Sequence, residues 1–522
     1  MGGTVIEQPG NRISEDIRPT RIERNVLLAA KGGSITFAGR LFVYGSRMVI
    51  ALIVARLLEA GQYGLFNLGL VAVEIFTQLA SLGMATAAVR HIPHFVSQRD
   101  EAGVWGSIQV VLGLTTLGSV VMAVCMFALA DPIAVQLFKE PRLAPILRLV
   151  SFFIPIFSLS DMAAALTRGF KNMKYTVVAQ NFAQPLIRLT LILVMALLLG
   201  LNAWWVLVAA CITEVFVALM LVFFLNRQFP LRRPLNTGRR ETKMMLKFAL
   251  PVYGSNLMNR IGGNIKTVLL GMFGTVRSVG IFGIVSQVTL LADMFQQSVG
   301  TVAQPIFSEL HSRGDHKELG RMYQIMTRWS VTVNLPLFLA LVLFPGPILS
   351  LFGRSFIEGV AALSITAWKG FVDIATGICG IMIDMTDHTR LKLVNTVVSL
   401  VVSIGLALLL IPSYGLVGAA VAALAAEIVI NLLRLFEVYI LLRLLPYSAS
   451  FFKPIAAGLA AVAAVFASSR LLPPEANLVY FALNIIVLFA AYTAAILLLR
   501  LTPEDRIILA RIRGRLNSTR RK

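Results

Sequence analysis

From residue 34 to residue 500 the chain alternates between apolar runs and short polar connections. At about 20 residues, each run is long enough to carry a helix through the hydrocarbon core of a bilayer. The runs fall near 34–57, 64–88, 105–129, 146–166, 177–200, 204–226, 245–270, 278–303, 327–345, 358–383, 391–411, 416–442, 451–472 and 478–500. They predict an all-α integral membrane protein of about 14 transmembrane helices. The fourth, eighth and tenth runs fit least well, because acids or several polar residues interrupt them. No connection is long enough to fold as an independent domain. Composition agrees: 57% of the 522 residues are hydrophobic and 14% charged, where a soluble chain carries about 25% charge.

A net charge of +21 would suit a nucleic-acid partner if it were gathered on a soluble domain. Instead the basic residues lie between the runs, on alternate sides. Arg18, Arg21 and Arg24 precede the first run, Arg168, Lys171 and Lys174 follow the fourth, and Arg232, Arg233, Arg239 and Arg240 follow the sixth. The opposite side holds only Lys139, Arg142, Arg277, Arg354 and Arg470. The bias predicts that both termini are cytoplasmic and that nucleic acid is not a partner. The first 33 residues lack the apolar core and cleavage site of a removable signal.

The chain also repeats itself. Val43-Tyr-Gly-Ser46 returns as Val252-Tyr-Gly-Ser255, Gly64-Leu-Phe66 as Gly280-Ile-Phe282, and Glu74-Ile-Phe-Thr-Gln78 as Asp293-Met-Phe-Gln-Gln297. Ser97-Gln-Arg-Asp100 matches Ser312-Arg-Gly-Asp315, and Asp131-Pro-Ile resembles Gly346-Pro-Ile. The order is kept, and an even number of runs separates the copies, so both enter the membrane in the same direction. The predicted architecture is two six-helix lobes related by parallel duplication, plus two C-terminal helices. Its divisions are a cytoplasmic segment 1–33, an N-lobe 34–226, a basic linker 227–244, a C-lobe 245–442, two helices in 443–500 and a basic tail 501–522.

Several runs carry polar groups at helical spacing. Asn256, Arg260 and Asn264 form one face of run seven, with Asn259 and Lys266 beside it. Ser286, Asp293, Gln297 and Gln304 mark run eight, Glu74, Gln78 and Ser81 run two, and Arg40 and Arg47 run one. A cation at mid-bilayer costs roughly 2.5–3.5 kcal/mol on insertion scales, so it faces a partner or a cavity. Arg47, Asn256, Arg260, Asn264, Lys266 and Gln297 are the candidate substrate-binding set. Interhelical glue is the alternative for the amides. Glu74, Asp161 and Asp293 are the candidate coupling or gating acids. Arg188 and Glu214 are further buried charges, Lys369 and Asp373 are spaced to pair, and Glu427, Arg434 and Glu437 are spaced to neutralise one another.

Other chemistry is not signalled. Cys125, Cys211 and Cys379 lie inside apolar runs without metal or disulfide spacing. His91 and His94 flank a proline with no further ligand nearby, so no metal or cofactor is expected. There is no Gly-x-x-x-x-Gly-Lys-Ser/Thr loop for ATP. A membrane enzyme would need a large loop or soluble domain, and none is present.

Gly45-Ser-Arg47, followed by Ala55-Arg-Leu-Leu58 and Gln62-Tyr-Gly-Leu-Phe66, resembles the opening of polysaccharide-transporter flippases. These belong to the superfamily that also holds multidrug and toxin extruders and the lipid II flippase. The resemblance implies a non-enzymatic flippase in a bacterial or archaeal cytoplasmic membrane. It would move a polyprenyl-pyrophosphate-linked oligosaccharide, an O-antigen or exopolysaccharide unit, by alternating access. Membrane lipids, a polysaccharide polymerase and glycosyltransferases are the partners so implied. A cation-coupled drug exporter of the same fold would want a predominantly acidic cavity. A non-transporting scaffold of polysaccharide synthesis would need none.

Overall fold

A computed structural model describes residues 40–200, 202–386, 388–471, 478–499 and 505. Among them no strand occurs. Helix α1 spans 40–57. It is followed by α2 (Ala60–Ser81), α3 (Met84–Ser97), α4 (Glu101–Asp131), α5 (Leu143–Ser151) and α6 (Ile154–Gly169). The N-lobe closes with α7 (Met173–Thr176), a π-helical stretch Val177–Ala183, α8 (Gln184–Leu199) and α9 (Ala203–Gln228). The C-lobe comprises α10 (Thr242–Phe273), α11 (Val276–Ser312), α12 (His316–Leu343), α13 (Pro345–Ser350), α14 (Val360–Ala375), α15 (Cys379–Met385) and α16 (Thr389–Leu442). Then come α17 (Phe452–Leu471) and α18 (Leu478–Leu498).

Among the described residues eight helices are long and apolar enough to cross a membrane, and eleven spans result if each bent pair counts as one. The predicted 14 is reached only by reading α16 as two arms about Gly415 and by including α1 and α10, whose polar residues set them apart. The three bent pairs are α5–α6 (48°), the two halves of α11 (47°) and the α14–α15 region (41°). They are the fourth, eighth and tenth runs. Polarity and breakage coincide because an interrupted backbone at membrane depth needs partners other than lipid.

The duplicated motifs become duplicated structure. Asp100 accepts a hydrogen bond from the Gly103 amide at 2.8 Å and starts α4, and Asp315 does the same for Glu318 at 3.1 Å and starts α12. Each cap follows a left-handed residue, Arg99 (φ 56°) in one copy and Gly314 (φ 70°) in the other. A side-chain acceptor at this position satisfies an amide that the first turn leaves open. After α4 and α12 the Pro-Ile segments form the π-helix Pro132–Leu137 and α13.

The basic linker lies on the N-lobe. The Arg239 amide donates to the Ala102 carbonyl at 2.9 Å and the Trp105 indole to the Pro234 carbonyl at 3.0 Å. Arg233 pairs with Glu101 and Arg239 with Asp100, both at 2.8 Å.

Candidate functional site

The lobes enclose a central cavity of about 930 Å³. "Inner" below means the side that the basic loops predict to be cytoplasmic. Arg47 of α1, Glu74 of α2, Asp161 of α6, Arg188 of α8, and Arg260, Asn264 and Lys266 of α10 line the cavity, as do Lys369 of α14 and Glu427 of α16. Five cations therefore face three carboxylates. Glu74 accepts from Arg260 in a close ion pair, and its second oxygen accepts from Asn264 at 3.1 Å. The pair joins the two lobes at the depth of the cavity. Lys369 lies 3.3 Å from Glu427, and Lys266 donates to Ser403 at 3.1 Å.

Arg47 and Arg188 differ from these. Among the described residues neither makes an ion pair, and they act on each other electrostatically. Glu214 also acts on Arg188, but its carboxylate accepts from Gln184 at 2.8 Å. Gln180 and Gln184 reach the cavity because the π-helical stretch Val177–Ala183 shifts the register ahead of α8. Such bulges re-aim side chains at the cost of regular hydrogen bonding.

An inner cavity of about 660 Å³ continues from this one past Glu74, Asp161, Arg260 and Asn264. Asn256, Asn259 and Arg168 border it. A third cavity of about 370 Å³ lies within the C-lobe, and Gln297 faces that one rather than the centre. The bend of α11 separates Gln297 from Ser286, which stays on the central wall. Asp293 sits in α11, but its side chain lies outside the described residues. The predicted set is therefore divided among three chambers. Sequence reasoning gave no place in the cavity to Gln180 or Gln184 and left Arg188, Lys369 and Glu427 outside the set. It also grouped Arg434 and Glu437 as neutralising neighbours. Instead Glu437 accepts from Asn395 at 2.6 Å, and Arg434 makes no ion pair among the described residues.

At the outer end α2 crosses α11 at close range. A Cβ on Gly64 would stand 1.8 Å from the Val276 carbonyl oxygen, and one on Gly280 would stand 2.0 Å from that of Ala60. The two glycines are the counterparts in one repeated motif. Tyr63 packs edge-on against Phe356 at 5.9 Å, and Arg56 donates to the Leu351 carbonyl at 2.6 Å. At the inner end the repeated tyrosines cross between lobes. Tyr44 donates to the Gln297 side chain at 3.1 Å, and Tyr253 to the Leu79 carbonyl at 3.1 Å. Arg40 also donates to Gln297.

Nearby, on the part of α3 beyond the predicted membrane span, His91 is buried against Phe248 of α10, with ring centroids 5.7 Å apart. Desolvation, then Arg90 and His94, push its pKa below the ordinary histidine value, while Glu241 pulls the other way.

Residues 53–361 match the family model for polysaccharide biosynthesis proteins. The chain is 26% identical over 172 residues to the probable low-salt glycan biosynthesis flippase of Haloferax volcanii, covering 32% of this chain and 36% of that one. It is 23% identical over 350 residues to the succinoglycan biosynthesis transport protein ExoT of Rhizobium meliloti, covering 64% of this chain and 66% of that one. The matched stretches thus span less than two thirds of these relatives. Among solved structures, the lipid II flippase MurJ in an inward closed conformation superposes with a TM-score of 0.71 at 14% identity, covering 88% of this chain and 97% of that one. An inward-facing multidrug resistance transporter of the MATE family gives 0.64 at 15% identity, covering 76% and 94%. At these identities the likeness is one of fold.

Proposed function

The chain belongs to the family of polysaccharide biosynthesis proteins, and from that premise we propose that it flips a polyprenyl-pyrophosphate-linked oligosaccharide across the cytoplasmic membrane by alternating access. The observation that carries this reading is the presence of Arg47 and Arg188 in the central cavity, two guanidinium groups that make no ion pair among the described residues. Arginine binds phosphate oxygens in bidentate fashion, and a pyrophosphate offers several. Lys266, Arg260, Asn256, Asn264 and Gln297 extend the polar path, while the polyprenyl tail stays in lipid. No bond is made or broken in the proposed cycle, so the protein is not an enzyme. The cation excess supports this reading over a drug exporter selecting cations. The scaffold alternative leaves the cavity without a role.

Glu74, Asp161 and Asp293 are the proposed gating or coupling acids. Glu74 has the clearest basis, because it sits on the N-lobe and is gripped by Arg260 and Asn264 of the C-lobe. Arriving phosphate would compete with Glu74 for Arg260 and so loosen the tie between lobes. Both termini are placed in the cytoplasm by this proposal.

The test is flipping of a fluorescent polyprenyl-pyrophosphate oligosaccharide in proteoliposomes, with polymer export in cells beside it. The double variant Arg47→Gln, Arg188→Gln is expected to lose at least about 100-fold in rate, as for two lost charge-assisted contacts. Flipping at the parental rate with normal protein levels would defeat the proposal.

A further inference from the structure

The C-lobe cavity of about 370 Å³ is within the range of about 300–1,000 Å³ typical of small-molecule sites. It lies off the central cavity and meets the inner one at Asn259 of α10, which borders both. The α14–α15 region forms one wall. That span breaks between Ala375 and Cys379, with Gly377 in the left-handed region (φ 77°). A broken helix at membrane depth is tolerated where its backbone borders a polar chamber, and transporters build binding sites there.

Among the described residues two buried acceptors at the chamber lack donors. Asn395 is 2% exposed; its side-chain nitrogen donates to Glu437 at 2.6 Å, and its side-chain oxygen has no partner among the described residues. The nitrogen of Gln296 donates to the Asp373 carbonyl at 3.4 Å, and its oxygen is likewise unpaired. Each amide nitrogen has one N–H committed within the protein, and each oxygen is an acceptor left open. An orphaned buried acceptor is costly, so its persistence at a chamber wall asks for a donor that arrives from outside. Hydroxyl groups supply such donors. Arg434 adds a guanidinium against the broken wall, its Cζ 3.8 Å from where a Gly380 Cβ would be. The other chamber cation, Lys392, is paired with Asp384 at 2.6 Å. Among the described residues Arg434 makes no ion pair and is the chamber cation open to an incoming anion.

We infer that the C-lobe chamber receives the sugar portion of the transported glycan, with hydroxyls meeting Asn395 and Gln296 and an acidic sugar substituent meeting Arg434. The inference rests on the flippase reading and divides its substrate: pyrophosphate to Arg47 and Arg188, glycan to the C-lobe. It also predicts selectivity, since a neutral sugar leaves Arg434 without its counter-ion.

The experiment is calorimetric titration of the full chain in lipid nanodiscs with three probes. They are inorganic pyrophosphate, a disaccharide bearing one uronic acid, and the same disaccharide with its carboxyl group reduced. The acidic disaccharide is expected to bind more tightly than the neutral one. Arg434→Gln should weaken the acidic disaccharide about tenfold and leave pyrophosphate within about twofold, as for one lost charge-assisted contact. Arg188→Gln should do the reverse. Gln296→Ala, which leaves the charges intact, should weaken both sugars and not pyrophosphate. Equal binding of the two sugars, with no effect of Arg434→Gln, overturns the role of Arg434. Pyrophosphate binding without sugar binding overturns the chamber while leaving the phosphate reading in place. Sugar binding without pyrophosphate binding upholds the chamber and removes the premise about Arg47 and Arg188.

Discussion

At the outer end of the lobe interface α2 and α11 meet backbone to backbone, through Gly64 and Gly280. At the inner end the lobes meet through side-chain hydrogen bonds from Tyr44, Tyr253 and Arg40. Both ends are built from repeated motifs, so duplication supplied each with a matched pair of parts. The parts differ in how they release. A close glycine crossing is all or nothing, because any added side chain prevents approach and separation forfeits the whole contact. Hydroxyl-to-carbonyl bonds are worth about 0.5–1.5 kcal/mol each and can be exchanged singly for water. In the proposed alternating-access cycle the inner seam serves as the graded gate and the outer crossing as the latch.

The largest expected effect comes from breaking the latch. Gly64→Leu should abolish flipping and lower stability by about 1–3 kcal/mol, read by export and by thermal unfolding. It should also make a cysteine at Asn67 accessible to an impermeant thiol reagent from outside, and Gly280→Leu should match it. Parental export by either variant would show that the crossing is not a gate.

Between the two ends, Glu74→Gln removes the tie at cavity depth. Both partners are roughly half exposed, so the expected stability change is under about 1 kcal/mol. Transport should nonetheless fall about tenfold or more if the pair synchronises the lobes. A large drop in melting temperature with undiminished turnover would reduce the pair to glue.

The double variant Tyr44→Phe, Tyr253→Phe sharpens the contrast at the inner seam. Each change should raise labelling of a cavity cysteine from the inner side by about two- to tenfold, the equivalent of one hydrogen bond. The two effects should add, since the residues share no partner.

The smallest effect concerns His91. Its assembled environment disfavours the charged ring, so the seam binds a proton less readily than its separated parts do. As pH falls through the ordinary histidine value near 6.5, acid therefore favours separation. Inner accessibility should rise over that range, and His91→Phe should flatten the dependence.

The apolar runs located the helices because hydrocarbon permits little else at that length. Even the failures of pattern were informative: the three runs that fit least well are the three that bend. The repeat was legible as sequence, but its meaning was not. Nothing in Gly64-Leu-Phe66 announces that it packs on its own copy, because lobe-to-lobe contacts are set by how two bundles dock. The cavity was half legible. Arg47, Glu74, Asp161, Arg260, Asn264 and Lys266 stood out because charge is expensive in a membrane. Gln180 and Gln184 were hidden by a π-helical stretch that breaks the 3.6-residue period on which face assignments depend. Gln297 left the central wall because α11 bends. Lys369 reaches Glu427 on another helix and Glu437 reaches Asn395 on a distant part of its own, contacts that no i, i+4 rule signals.

The linker bonds point backwards along the chain. Pro234 and Arg239 are held by Ala102 and Trp105, and Arg233 and Arg239 by Glu101 and Asp100. Every one of these partners has been synthesised before the first residue of α10 leaves the ribosome. The half-made protein therefore carries its own end-cap, which covers the inner edge of α4 while the second half is still absent. A chain assembled from two similar halves risks pairing α2 with the wrong sister helix during insertion. Finishing one half first, and tying it off, separates the two foldings in time.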